Sequence, residues 1–471
     1  THSKLDEGIN FDKNPIIMLA CYGENFKKVV VWKKFETDLD YIEFVETEAE
    51  LLEKFKKIVN EYKPDIIAGY YSDGFDLPYI KRRGEIEKVK LDIGLDYSNM
   101  RTRKGNVPSV ILNGRTHLDI FKFIRKVSYL SLNSYDLNTV AAELLEEKKV
   151  DVDLRELHDV WDNSPKDLDK FCEYNLHDAK LVYDLSVKML PTIIEMVKIV
   201  GIPIFDVNRM GYSQLVEWYT MRQAFEVEEI APNKPGHDEL VQRRNLSIKG
   251  AFVFEPKPGL YKDIEVFDYR SLYPTIISSH NIGPSTLRCG CCDEDKINVE
   301  GKVYWYCKKQ KGLIPELIKN IIEKRGEIKK IIKEESNEKF AFLDARQNSL
   351  KLLANSYYGY LGFYGARWYC SECAESTTAL GRKYVHSVID KAKGSGFGVV
   401  YADTDSCFIT LGDKTKEDGK KFAQEVNKDL PGLMELEFEG HYPSGIFVSA
   451  KAGAFGAKKK YALMDEKGEM K

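Results

Sequence analysis

Apolar residues recur along this chain in two periods. From Glu48 to Tyr62 they return at helical spacing, and the same spacing predicts helices over Leu130 to Leu145 and Leu168 to Val197. Ile16 to Cys21 and Val29 to Trp32 are short runs of β character, and Asp65 to Tyr70 (DIIAGY) predicts a buried strand. Strands, a helix and another strand together predict an α/β sheet. That segment ends near residue 200, where Gly201 and Pro203 interrupt the last helix. APNKPG and EPKPG punctuate the stretch from Ile230 to Pro258. From 313 to 355 the pattern is helical throughout. Leu317, Ile318, Ile321, Ile322, Ile328, Ile331 and Ile332 give a first helix, EESNE (334–338) a polar break, and Phe340 to Asn355 a second. The expectation is an antiparallel helical hairpin inserted between strand-bearing segments, followed by a strand pair over Phe397 to Ile409. Repeats and low-complexity segments are lacking.

The last strand pair carries the first chemistry. VVYADTDSCFIT (399–410) sets Asp403 and Asp405 in an apolar, β-branched run. An unpaired carboxylate costs several kcal/mol or more to bury, and buried charges persist when they are paired or hold a metal. Asp268 follows the apolar stretch Ile264 to Phe267, at a strand's end, and is the first candidate partner. Three carboxylates on adjacent strands suit hard divalent cations such as Mg²⁺, whose coordination substrate phosphates complete. Two such ions about 4 Å apart stabilise both the attacking and the leaving oxygen of an in-line phosphoryl transfer.

RQNSLKLLANSYYGYLG (346–362) carries the second. Lys351, Asn355 and Tyr358 share one helical face, so a cation, an amide and an aromatic ring could meet a triphosphate and a base. Arg346 lies roughly 140° round the helix from Lys351, and Arg325 on the facing helix could converge from the other side.

At 471 residues the chain suggests roughly three domains, and 43% hydrophobic with 31% charged residues describes a globular protein. There is no run approaching the ~20 apolar residues of a membrane span. The formal charge of −4 argues mildly against a nucleic-acid partner, but the end is locally basic, with Lys451, Lys458, Lys459 and Lys460. That run is either a solvated face or a polyanion contact. Nine cysteines are too few for a secreted disulfide scaffold. Cys289, Cys291, Cys292 and Cys307 form one group, and Cys370 and Cys373 another. Their spacing suits zinc or a disulfide, with no His alongside.

DYRSLYPTII, KLLANSYYGYLG and YADTDS, in that order, closely resemble the three polymerase motifs of the family B DNA polymerases, the archaeal replicative members above all. LVEWY (215–219), APNKP (231–235) and ARWYCSECAES (366–376) extend the resemblance along most of the chain. It implies a multidomain α/β and α+β fold: an RNase H-like 3′–5′ exonuclease domain over 1–200, and a linker with the start of the palm over 201–255. An antiparallel palm would follow over 256–312 and 356–471, interrupted by two-helix fingers over 313–355. It implies template-directed DNA synthesis from deoxynucleoside triphosphates, with two Mg²⁺ ions (Mn²⁺ as a substitute) on Asp268 and Asp405 and with Asp403 in support. Ser271 and Leu272 would hold phosphates through backbone amides, Arg325, Arg346, Lys351 and Asn355 through side chains. Tyr273 would be the steric gate against a ribose 2′-OH. KKKYA, with Lys458, Lys459, Lys460 and Tyr461, is similar to a segment that grips the duplex. The implied partners are primer–template DNA, a sliding clamp and a thumb, and the implied location is the interior of an archaeal cell, with the nucleoid.

FDLPYI (75–80) and YNLHD (174–178) resemble the second and third exonuclease motifs, giving Asp76, Tyr174 and Asp178, the two aspartates as metal ligands. The first motif is absent, since the chain starts at its Thr as Thr1, so no proofreading is expected of this chain. Tyr71 stands where the family usually has Asn, and IKGA (248–251) lacks the Tyr of the family's linker element. A thumb would follow Lys471, absent either because the chain is a piece of something longer or because the thumb is a separate polypeptide. The Cys370 and Cys373 pair and the cluster from Cys289 to Cys307 fall near positions where thermophilic relatives carry disulfides, so the resemblance favours disulfides at these cysteines over zinc. The rival readings are an inactive paralogue serving as a DNA-binding scaffold and a nuclease whose polymerase-like half only binds DNA. Intact Asp268, Asp403 and Asp405 speak against both.

Overall fold

The helical spacing over 48–62 is realised over those residues. The Thr47 hydroxyl accepts the Glu50 N–H at the N-terminus, while Leu51, Leu52, Phe55, Ile58 and Val59 are buried on one face. The computed structural model describes all residues except 1–7, 104, 106, 127–131, 148–151, 335–339, 450–455 and 471. Thr1, Lys451, the predicted helix start at Leu130 and most of the EESNE break therefore lie outside the described residues. The chain forms two compact units, residues 1–198 with 202–211, and residues 199–201 with 212–471.

The first unit is built on β1 (Met18–Gly23), β2 (Phe26–Val31), β3 (Ile42–Phe44), α1 (Glu48–Tyr62), β4 (Ile66–Gly69) and α2 (Asp76–Ile86). After these come β5 (Arg101–Arg103), β6 (Ser109–Ile111), β7 (Thr116–Asp119), α3 (Ile120–Ile124), α4 (Leu137–Leu145), α5 (Leu157–Asn163), α6 (Asp169–Val200) and α7 (Ile204–Arg209). β1 and β2 pair antiparallel, β3 joins β2 in parallel, and β4 pairs in parallel with β7. Two apolar clusters, one around Leu51, Phe55, Ile80 and Met100 and one around Ile17, Val29, Trp161 and Phe171, form its core. β4 is half-buried where DIIAGY predicts a buried strand, because β7 is its only neighbour among the described strands. α4 begins later than predicted, at Leu137, where Asp136 accepts the N–H groups of Asn138 and Thr139.

The second unit starts with α8 (Tyr212–Glu226), α9 (His237–Arg244), β8 (Val253–Phe254), β9 (Gly259–Tyr269) and α10 (Leu272–Ser279). A small ladder of β10 (Ile297–Val299) and β11 (Lys302–Tyr304) precedes the hairpin helices α11 (Leu313–Glu334) and α12 (Phe340–Leu361). α13 (Ser371–Gly394), β12 (Gly398–Asp403), β13 (Ser406–Thr410), α14 (Lys416–Lys428), β14 (Leu436–Ser449) and β15 (Gly456–Met464) complete it. Six strands form one antiparallel sheet in the order β15–β14–β9–β13–β12–β8. α13 packs on β12 and β13, and α14 on β9 and β14.

α12 runs past the predicted end at Asn355 to Leu361, because Tyr357, Tyr360 and Leu361 are buried. Tyr357 shares a hydroxyl hydrogen bond with Thr220 on α8, and Tyr360 donates to Glu217 on the same helix. The extra turns place Tyr358 on a continuous helix with Lys351. Among the described residues no helix is long and apolar enough to cross a membrane.

Candidate active site

The ladder between β9 and β13 sets Ser406 opposite Asp268, and the Tyr269 N–H donates to the Asp405 carbonyl at 2.9 Å. β12 and β13 meet in a tight hairpin in which Asp403 pairs with Ser406 and Thr404 takes a left-handed conformation (φ 54°). Asp403 and Asp405 thus flank a hairpin tip at the sheet's end, next to the end of β9. They do not sit inside a core strand, which resolves how the chain tolerates them.

The carboxylates at this tip repel one another. Burial pushes the Asp268 carboxyl up to about 7, and the charges of Asp405, Glu439 and Glu437 add to the effect, opposed by Lys351. Burial raises the Asp405 carboxyl too, with Asp403 and Glu439 contributing and Lys459 opposing. Asp403 is differently placed. It accepts hydrogen bonds from the Tyr401 hydroxyl (3.2 Å) and the Thr404 hydroxyl (2.9 Å), and Lys459 Nζ lies 3.4 Å away. Among the described residues the three aspartates do not gather their carboxylates within 4.8 Å of one another. Half-buried carboxylates with too little positive charge nearby, such as Asp268 and Asp405, are groups that a hard divalent cation could neutralise. Glu437, in register with Asp268, and Glu439, at the irregularity between Phe438 and Gly440, escaped the sequence reading. The alternation in LEFEG was the available signal.

Facing this end of the sheet is a cationic cavity lined by Arg270, Ser271, Ile321, Arg325, Lys329 and Lys351, among others. Arg325 donates to Gln347 across the hairpin at 3.2 Å. Burial lowers the affinity of Arg325 and of Lys329 for their protons, and Arg270 and Arg325, respectively, lower it further. Arg270 itself pairs with Glu435 (2.8 Å) and Glu437 (3.4 Å). Crowded cations of this kind suit a polyanion. The cavity unites Ser271, Arg325 and Lys351 as expected and adds Lys329, one turn beyond Arg325. Arg346 and Asn355 are exposed and do not line it.

Ser271 precedes α10 in a left-handed conformation (φ 52°) and offers its helix no side-chain cap. The amides of the first turn, Leu272 and Tyr273, are therefore suited to an anion. The Tyr273 ring lies against Tyr358, with centroids 4.5 Å apart, and Gly381 lies behind it, where a Cβ would come within 3.0 Å of the ring. On β15, Lys458 pairs with Glu255 (2.9 Å), Lys459 reaches Asp403, and Lys460 is exposed. Tyr461 packs on Phe408 and Phe447. In the IKGA segment the Lys249 and Gly250 carbonyls accept from Arg382 on α13, at 3.2 and 2.7 Å.

In the first unit Asp76 opens α2 and is exposed, within electrostatic reach of Asp119 and His117. Tyr174 and Asp178 stand one turn apart on α6. These residues form no compact group of metal ligands among the described residues. Sequence reading missed the buried Asp119, which accepts the N–H groups of Tyr71 (2.9 Å) and Asp73 (3.2 Å). It also missed Asp73, whose carboxyl His117, Arg209 and Lys122 hold below the usual range against the cost of burial. Tyr71 is left-handed (φ 61°), a conformation that favours the Asn the resemblance implies there, and its ring stands exposed against Phe121.

All the cysteines described are free thiols. The expected bridges are not formed: Cys370 and Cys373 are buried and unbonded, and Cys307 has Cys291, at 3.4 Å, as a closer sulfur neighbour than Cys292.

A sheet ending in carboxylates and faced by a cationic helical hairpin, in a chain that also carries a unit of mixed sheet and helices, fits the class of polymerases that carry an exonuclease domain. Residues 202–469 match the model of DNA polymerase family B, and residues 3–140 that of its exonuclease domain. The chain belongs to DNA polymerase family B. It is 41% identical over 472 residues to DNA polymerase 1 of Pyrococcus abyssi and 39% identical over 473 residues to the DNA polymerase of Thermococcus gorgonarius. Each alignment covers 98% of this chain and 59% of the relative. The structure of the family B DNA polymerase from the hyperthermophilic archaeon Pyrobaculum calidifontis superposes with a TM-score of 0.77 at 28% identity, covering 98% of this chain and 57% of that one. The chain thus spans about three-fifths of the length of the curated relatives it matches.

Proposed function

We propose that this chain carries the catalytic site of a DNA-directed DNA polymerase, in which a primer 3′-hydroxyl attacks the α-phosphate of a deoxynucleoside triphosphate and pyrophosphate leaves. The observation that supports this most is the juxtaposition of Asp268, near the end of β9, and Asp405, at the hairpin tip before β13, facing the cavity of Arg325, Lys329 and Lys351. Two Mg²⁺ ions held by Asp268 and Asp405, or Mn²⁺ in their place, would activate the hydroxyl and neutralise charge on the phosphates. The chain's own residues do the remainder. Arg325, Lys329 and Lys351 bind the β- and γ-phosphates, where charge develops as pyrophosphate departs. The amides after Ser271 orient the triphosphate. Tyr273, backed by Tyr358, closes the sugar pocket against a 2′-hydroxyl. Lys458 to Tyr461 contact the primer–template backbone, so binding weakens as salt rises.

In this reading the sheet is the palm and α11 with α12 the fingers. A sliding clamp and a thumb-bearing polypeptide are proposed as further partners, in the interior of an archaeal cell, on the resemblance alone. Asp76, Tyr174 and Asp178 are proposed as the exonuclease residues. No activity is assigned to that unit.

The test is primer extension with deoxynucleotides and Mg²⁺, with and without a thumb fragment supplied in trans, alongside Asp405→Asn. Extension that the substitution abolishes supports the reading. Extension unaffected by it overturns the assignment of the site.

A further inference from the structure

Four cysteines converge outside the active site. Cys289, Cys291 and Cys292 lie in the loop after α10, and Cys307 follows β11. The ladder brings them together: Leu287 bridges Tyr306, the Arg288 N–H donates to the Trp305 carbonyl, and the Cys307 N–H donates to the Thr286 carbonyl. The four Sγ atoms all lie within 4.8 Å of one another, the one such group of metal-ligating side chains among the described residues.

The distances discriminate between chemistries. Sulfur separations are 3.2 Å for Cys289–Cys292, 3.4 Å for Cys291–Cys307, 3.9 Å for Cys291–Cys292 and 4.0 Å for Cys292–Cys307. A disulfide needs about 2.05 Å. A tetrahedron of thiolates, each about 2.3 Å from a zinc ion, has edges of roughly 3.8 Å, which these values bracket. Two backbone amides also point at the sulfurs. The Lys308 N–H donates to Cys292 Sγ and the Gln310 N–H to Cys307 Sγ, both at 3.3 Å. Such donors offset the negative charge that four thiolates retain around a divalent ion.

We propose that Cys289, Cys291, Cys292 and Cys307 bind one structural zinc ion as a closed tetrathiolate site. All four positions are taken by protein sulfur, so no open coordination site remains for catalysis. The site's place in the fold gives it a task. β10 and β11 have three residues each, too few to be stable as a pair in water. Beyond them, Asn281 donates to the Cys307 and Gln310 carbonyls at 2.7 Å and accepts from the Gly312 N–H at 3.0 Å, just before α11. The ion would staple the path from α10, which carries Tyr273, to α11, which carries Arg325. Cys370 and Cys373 have no third ligand of this kind and serve as an internal control.

The test is metal analysis of the full chain, purified under reducing conditions without added metal. One zinc per chain is expected, along with intense thiolate-to-metal charge-transfer bands after exchange with Co²⁺. Cys292→Ser and Cys307→Ser should lose the zinc. Asp405→Asn and the double variant Cys370→Ser/Cys373→Ser should retain it, which separates this site from the carboxylates and from the other cysteine pair. Should the serine variants fail to fold, titration of the unmodified protein with a mercurial decides the matter. Zinc release that tracks the addition of about four thiol equivalents supports the site. Metal-free protein, whether its thiols are free or its mass shows Cys289–Cys292 and Cys291–Cys307 disulfides, overturns it.

Discussion

Lys459 Nζ lies 3.4 Å from Asp403 Oδ2, whereas at Asp405 it only partly offsets the burial, and the nearby charges of Asp403 and Glu439, that raise the carboxyl. Two aspartates two positions apart thus differ in their surroundings: Asp403 has Tyr401, Thr404 and Lys459 as partners, and the proposed function gives Asp405 and Asp268 the metal ions. Asp405→Asn and Asp268→Asn should each reduce single-turnover nucleotide addition by roughly 10³-fold or more, the scale of losing a principal electrostatic group. Asp403→Asn should cost about tenfold. Equal losses at 403 and 405 would refute the separation.

Lys329 belongs to the same cavity as Arg325 and Lys351, although the motifs do not mark it. A charge-assisted contact to a phosphate is worth about 1.5–3 kcal/mol. Lys329→Ala should therefore raise KM for the deoxynucleotide by roughly tenfold to a hundredfold and leave the affinity for primer–template DNA unchanged. Filter binding and steady-state kinetics on one preparation distinguish the two effects.

Tyr273 is wedged between Tyr358 and Gly381. Tyr273→Ala should open the sugar pocket and raise ribonucleotide incorporation relative to deoxynucleotide by at least about tenfold, in line with losing one packed contact against a hydroxyl. Gly381→Ala, whose Cβ would meet the ring at 3.0 Å, should instead slow deoxynucleotide addition by displacing the gate. Competition between the two nucleotide types on one template reads both effects.

The parts of this protein legible in its sequence are those whose signal is local. α1 follows from helical spacing, and the strand pair on either side of 403–406 from a β-branched apolar run. Asp268 was found because it ends an apolar strand. Glu437 and Glu439 were missed because their relation to Asp268 is a matter of register between β14 and β9, which sequence spacing does not encode. The cysteines show the same limit. Linear spacing left zinc and disulfides both open, the resemblance favoured disulfides, and only the ladder between Leu287 and Tyr306 reveals that four sulfurs meet. Asp73 and Arg209 meet through a tertiary contact that no motif carries.

Glu265 gives the last prediction. It lies on β9, fully buried, beneath α14, where Gly419 approaches so closely that a Cβ there would overlap its carboxylate. Among the described residues neither carboxylate oxygen has a hydrogen-bond partner. Burial pushes the carboxyl up from 4.5 to about 7; Lys416 and Lys420 oppose the shift and Glu417 adds to it. Its register neighbours are Ile409 and His441, the latter facing Asp263 and Glu466. Below pH 4.5 both the folded and the unfolded chain hold this proton, and its ionisation costs no stability. Between 4.5 and about 7 only the unfolded chain ionises, so stability falls as pH rises, and above 7 the penalty is complete, on the order of 3 kcal/mol. Glu265→Gln should accordingly raise the melting temperature relative to the unmodified protein at pH 8, and the gain should shrink steadily towards pH 5. A gain that is independent of pH, or one that grows as pH falls, would show that Glu265 does not titrate in the folded protein as its burial requires.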